Sequence, residues 1–342
     1  LITAQSSTSR LYDAIRTNNR EALRAMVHST ADANTKDDGG KTPLMYAAAV
    51  GSIDAVKFLI DKGADVNAQN ESGLTALMLA ATDLSKVRLL VDRGANVNAT
   101  TKLGRPALFL TAMSDNSAAI VRLLVARGAD LKATDMFKNT MLNAAAAGND
   151  TETIRLVIDA GVDVNAAATT GLTPLMLAAA QSNVRAVKLL LAKGANVNAV
   201  ATRPFMYEFA PPRSGPTVTN AYTPLLMAAA FGPPELIRML LDAGADVNAS
   251  ESRKLTPLML AVASDHQDPA VIRLLLARGA DPTLKSALGA TAADWATKVG
   301  APAALEILHA DRPRPPVRPS NTEAPFELKT AVEHSVALLE KS

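Results

Sequence analysis

Thr42-Pro43-Leu44-Met45-Tyr46-Ala47-Ala48, followed further on by Gly63-Ala64-Asp65-Val66-Asn67-Ala68, is the stretch whose reading decides the fold. A threonine before a helix accepts hydrogen bonds from its first free amides, and proline suits the first turn because its missing donor has no partner there anyway. Thr42-Pro43 therefore opens a helix. Leu44, Ala47 and Ala48 form an apolar stripe at helical spacing, and alanine lets a neighbouring helix approach closely. A second helix is predicted over Val56 to Lys62, ending at Gly63, where a left-handed residue costs least.

The same two markers recur in phase. Gly-Ala-Asp-Val-Asn-Ala or a near copy begins at Gly63, Gly94, Gly128, Gly161, Gly194, Gly244 and Gly279, at a period close to 33 residues. Thr-Pro-Leu begins at Thr42, Thr173, Thr223 and Thr256, with degenerate forms at Thr75, Pro106, Thr140 and Thr291. One helical hairpin cannot bury its apolar face alone, so the units must stack on a shared core. These marks resemble the ankyrin repeat family over about residues 9–310, in its bacterial type. The resemblance implies an all-α solenoid of about nine hairpin units with finger loops projecting beside a groove. The polar unit Leu11 to Asn34 reads as the first cap. Ala290 to His309, with the single tryptophan Trp295, reads as the last.

Where the family commonly places histidine after Thr-Pro-Leu, this chain has Met45, Met78, Phe109, Asn143, Met176, Leu226 and Met259. A hydrogen bond is thereby exchanged for packing, and core filling is favoured over a methionine-lined metal or peptide groove.

Composition narrows the function. Of 342 residues, 35 are basic and 33 acidic, so no uniform field draws in a nucleic-acid backbone or an anionic membrane. Cysteine is absent, which removes disulfides, thiolate metal sites and cysteine nucleophiles from this stretch. No apolar run reaches the roughly 18 residues that cross a bilayer, so no membrane insertion is expected. The four histidines, His28, His266, His309 and His334, lack the helical spacing of a zinc protease, and Gly40-Lys41-Thr42 is not a phosphate loop, since Thr35 stands where that motif needs its first glycine. The in-phase aspartates are turn residues. No catalytic residue, metal ligand or cofactor is assigned.

Eight units carry a basic residue at one position of the second helix: Arg24, Lys57, Arg88, Arg122, Arg155, Lys188, Arg238 and Arg273. Four are expected to pair with an aspartate four residues on, Asp61, Asp92, Asp159 and Asp242. The competing reading is an acidic partner lying along the ladder. The period itself breaks between Leu175 and Leu225, where about 17 residues are inserted, near 201–217. Arg203, Phe205, Met206, Tyr207 and Phe209 crowd that insertion, with Tyr222 and Phe231 downstream, and such side chains dominate interface hot spots. The insertion either reaches toward a ligand or folds back over neighbouring repeats. The family pattern adds Arg105, Phe137 and Arg253 as finger positions. Their mixed signs favour a folded protein or extended peptide as partner over a charged polymer, and no nucleic acid is expected.

At the ends, residues 1–8 read as a polar leader or spacer, which suits a periplasmic or secreted protein while leaving the cytoplasm open. Residues 311–325 read as a Pro/Arg-rich linker and 326–342 as an amphipathic helix, with Leu328, Val332, Val336 and Leu339 on one face. The expected function is a protein-binding scaffold or a subunit of a larger complex. The alternative is the non-catalytic arm of a larger enzyme or electron-transfer protein, joined through the last helix.

Overall fold

A computed structural model describes residues 7–148, 150–201, 221–264 and 266–310. The 1–8 segment is thus described only from Ser7, and the 311–325 linker and 326–342 helix expected from the sequence lie outside the described residues. The chain divides into two compact units, Leu1–Ala166 and Ala167–Ser342.

Unit one holds five helical hairpins. They are α1 (Ser7–Arg16) with α2 (Arg20–Met26) and the one-turn α3 (Thr30–Ala33), α4 (Pro43–Val50) with α5 (Ile53–Asp61), α6 (Ala76–Leu79) with α7 (Leu84–Asp92), α8 (Ala107–Ala112) with α9 (Ala118–Ala126), and α10 (Met141–Ala147) with α11 (Thr151–Asp159). Unit two holds four: α12 (Pro174–Ala180) with α13 (Val184–Ala192), α14 (Pro224–Ala229) with α15 (Pro234–Asp242), α16 (Pro257–Ala263) with α17 (Pro269–Ala277), and α18 (Ala292–Lys298) with α19 (Pro302–Ala310). In each unit the first helices pack side by side as one layer and the second helices as another. Among the described residues there are no strands, only isolated bridges such as Thr100 with Pro106 and Thr134 with Thr140.

The threonine caps form as the sequence predicts. Thr42 Oγ1 accepts from the Met45 amide at 3.3 Å, and Thr75, Thr140, Thr173, Thr223 and Thr256 do the same for the residue three on. That third residue points inward: Met45, Met78, Met176, Leu226 and Met259 are all buried, as is Phe109, which follows the uncapped Pro106. Core filling is therefore the role of the methionine row. Asn143 differs, because its Oδ1 accepts from the Thr140 amide at 3.0 Å and the Thr140 hydroxyl at 2.7 Å. There the reciprocal hydrogen bond of a capping box is kept. The leucines before this row, Leu44, Leu77, Leu108 and Leu142, are also buried, each contributing about 1.5–3 kcal/mol.

Helix α5 begins three residues before the predicted Val56, because Ser52 Oγ accepts from the Ala55 amide at 3.2 Å and starts it earlier. Gly63 sits beyond its C-cap at φ 85°, as the turn requires.

The asparagine of each turn ties one repeat to the next. Asn67 Nδ2 donates to Gly94 O at 3.0 Å while its Oδ1 accepts from the Asn96 amide at 2.7 Å. Asn34, Asn98, Asn198 and Asn248 repeat both bonds to the glycine carbonyl and the amide two residues beyond it. At the joint between the fourth and fifth hairpins Lys132 stands in that place, exposed. Other groups tie that joint: Asp150 Oδ2 accepts from the Ala118 amide at 2.7 Å, and the Ser117 and Thr153 hydroxyls meet at 2.9 Å.

The ion pairs depart from expectation. Asp61 is held by Arg93 at 2.8 Å, Asp92 by Arg127 at 2.8 Å and Asp242 by Arg278 at 2.6 Å. These aspartates close a second helix, and the arginine that C-caps the next second helix reaches back to them. Lys57, Arg88 and Arg238, the partners expected four residues earlier, do not take them. The pairs therefore run between repeats, from the end of one second helix to the C-cap of the next.

Candidate protein-binding site

Four of the fingers are built by a polar side chain that accepts from the backbone two and four residues on. Asp37 Oδ1 takes the Gly39 and Lys41 amides at 3.0 and 2.8 Å, and Asn70 Oδ1 takes those of Ser72 and Leu74 at 3.0 and 2.8 Å. Asp135 Oδ1 takes Phe137 and Asn139, both at 2.9 Å, and Glu251 Oε1 takes Arg253 and Leu255 at 3.0 and 3.1 Å. These side chains supply the turn that the backbone alone would leave open. The third residue after each adopts positive φ. At Gly73 this is φ 78°, with a Cβ there lying 2.9 Å from the Lys102 backbone nitrogen, so only glycine fits under the next finger. Lys138 takes the same conformation at φ 59° despite its side chain.

In unit one successive fingers are bonded through their backbones. The Glu71 amide donates to Gly39 O at 3.3 Å, Lys102 to Ser72 O at 2.9 Å and Met136 to Leu103 O at 2.9 Å. The first finger is further anchored by Tyr12, stacked on Tyr46 with ring centroids 4.4 Å apart and donating its hydroxyl to Lys41 O at 2.8 Å. Burial, reinforced by the Asp37 carboxylate, pushes the Tyr12 phenol above its ordinary range, so it stays a donor.

Along this row the tips change character, from Asp38 and Glu71 to Lys102-Leu103 and then Met136-Phe137. Met136 is 61% exposed, Leu103 38% and Phe137 37%, and the Met136–Leu103 backbone bond makes them neighbours. Beneath them Arg105 and Asp135 are buried together, with Nε and Nη2 of the arginine 3.0 and 2.9 Å from Asp135 Oδ2. The guanidinium also lies over the Phe109 ring at 5.3 Å, and Asn139 Nδ2 donates to both carboxylate oxygens. A charge pair buried this way is held by every donor around it, which fixes the loop that presents the apolar tip.

The residues singled out from the sequence separate accordingly. Phe137 stands at the tip. Arg105, expected to face a partner, is buried and positions the finger instead, because the Asp135 carboxylate and the Phe109 ring claim it. Tyr222 is also buried, bridged to Ala201, whose amide donates to Tyr222 O at 2.9 Å. Phe231 is exposed and meets His266 edge-on at 5.9 Å. Although close in sequence to the insertion, it lies past the far end of α14, about 9 Å of helix away from the finger side. Arg253 is half-exposed beside the buried carboxylate of Glu251 at 3.3 Å. Arg203, Phe205, Met206, Tyr207 and Phe209 lie outside the described residues. Leu103 and Met136 were not singled out. Their signal was available in the period, which fixes their positions as turn tips where an apolar side chain has no core to enter.

A family model described as ankyrin repeats (3 copies) matches residues 11–101, 108–201, 207–286 and 225–313. The chain belongs to the ankyrin repeat family. Among solved structures it is similar to the human ASB11 ankyrin repeat domain, with 25% identity and a TM-score of 0.55 over 71% of this chain and all of that one. No curated protein matches the chain significantly. Ankyrin repeats are in general protein–protein interaction modules, and the fold is typically non-catalytic. Among the described residues no helix is long and apolar enough to cross a membrane, and no group of three acidic or histidine side chains is placed to hold a metal ion.

Proposed function

We propose that this ankyrin protein is a scaffold or subunit that grips a protein partner through the finger tips of unit one, with Leu103, Met136 and Phe137 as the apolar anchor and Lys102 and Lys138 beside it. The observation that carries this is the exposure of three large apolar side chains on two neighbouring fingers tied together by the buried Arg105–Asp135 pair. Exposed apolar clusters of this kind mark interaction sites, and preorganisation lowers the ordering cost of binding. The 201–217 insertion, rich in the same residue types, is proposed as a further contact. The test replaces Met136 by a photo-crosslinking amino acid in the full chain within its native cells and identifies the captured protein by mass spectrometry. That protein should then bind the purified wild-type chain and lose affinity for the Leu103→Ser, Met136→Ser, Phe137→Ser variant. Equal affinity of the two would reject the finger-tip reading, and shortening residues 201–217 tests the insertion separately.

A further inference from the structure

The basic ladder occupies one register. Arg24, Lys57, Arg88, Arg122 and Arg155 are each the fifth residue of α2, α5, α7, α9 and α11, and each is exposed. The aspartates one turn on, Asp61 and Asp92, are occupied by the arginines of the following repeat. Asp54 is likewise taken by Arg20, and Glu152 by Arg122. Arg24, Lys57, Arg88 and Arg155 keep their charge without an ion-pair partner among the described residues. Between α2 and α5 the first two of these, with Phe58, line a cleft of about 230 Å³.

We propose that the second-helix layer of unit one is a separate binding surface, which takes an extended acidic protein segment with a carboxylate at every third residue. Packed helices lie about 8–10 Å apart, so the ladder presents one cation per roughly that distance, with a double step from Arg88 to Arg155 where Arg122 is already paired to Glu152. A polyproline-type strand advances about 9 Å in three residues and returns to the same face at the third. Its every-third side chains meet the ladder in register. A dense polyanion gains less, because between the free cations it meets Asp61, Asp92 and Glu152, which are paired but still carry their charge. The proposal is independent of the finger tips, which precede the first helices.

The experiment uses the full chain and a fluorescent peptide of about five Glu-Pro-Pro triplets, read by anisotropy at low salt. The comparison peptide has the same composition with its glutamates contiguous. The in-register peptide should bind about tenfold more tightly, and reversing Lys57, Arg88 and Arg155 to glutamate should weaken it about thirtyfold. The same reversal at Lys36, Lys132 and Lys285, exposed and off the ladder, should leave binding within about twofold. Circular dichroism confirms that all three proteins fold. Equal binding of the two peptides, survival of binding in the ladder variant, or equal loss in the off-ladder variant overturns the proposal. Stronger binding of single-stranded RNA than of the in-register peptide also overturns it.

Discussion

Replacing Asp135 by alanine tests the physical basis of the finger tip most directly. The side chain is fully buried, accepts from the Phe137 and Asn139 amides and from Asn139 Nδ2, and faces the Arg105 guanidinium, itself only 10% exposed. Removing one member of a buried ion pair costs about 3–5 kcal/mol, since the remaining charge loses its compensation in a poorly solvated site. Arg105→Met should cost less, about 1–3 kcal/mol, because the carboxylate keeps three protein donors. The double variant should cost well under the sum of the two. Urea unfolding of the full chain, followed by circular dichroism, reads the transition that carries unit one. Hydrogen exchange at Phe137 and Asn139 reports on the loop itself, and both amides should lose protection in Asp135→Ala. A shift below about 1 kcal/mol with protection unchanged would show that the pair does not hold the finger, and the rigid-tip argument would fall with it.

Three further outcomes follow from single features. Lys132→Asn restores the missing tie toward the fifth hairpin and should stabilise unit one by about 1 kcal/mol in urea unfolding, with no change or a loss showing that the asparagine tie is not transferable. Asp150 is depressed below the usual 3.8 even though burial, the largest influence, opposes this, because the Ala118, Glu152 and Thr153 amides and the Thr153 hydroxyl together outweigh it. Its stabilising contribution is therefore fully present above that value and lost as pH falls through the lower folded value. Melting temperature against pH should show Asp150→Asn below wild type near neutrality and converging with it on acidification, and parallel curves would contradict the assignment. The Leu103→Ser, Met136→Ser, Phe137→Ser variant should still unfold cooperatively, melting somewhat below wild type because Leu103 and Phe137 are only 38% and 37% exposed, while losing at least about 2 kcal/mol of affinity for the captured partner, by titration calorimetry.

The sequence by itself determined the repeat, because its marks are local chemistry. Threonine caps, first-turn prolines and turn glycines act within three or four residues, so Thr42, Pro43 and Gly63 could be read before any neighbour was known, and the buried methionine row followed from helical spacing. What only the tertiary structure decided was which partner each long or polar side chain takes across repeats. Asp61 lies one helical turn from Lys57 in sequence, yet Arg93 of the next repeat reaches it. Arg105 reads as a surface finger residue until Asp135, thirty residues on, is seen to bury it, and Phe231 follows the insertion closely in sequence until α14 carries it to the other end of the hairpin. Side-chain reach between stacked helices is set by their packing distance and register, which a linear pattern implies but does not assign to particular pairs.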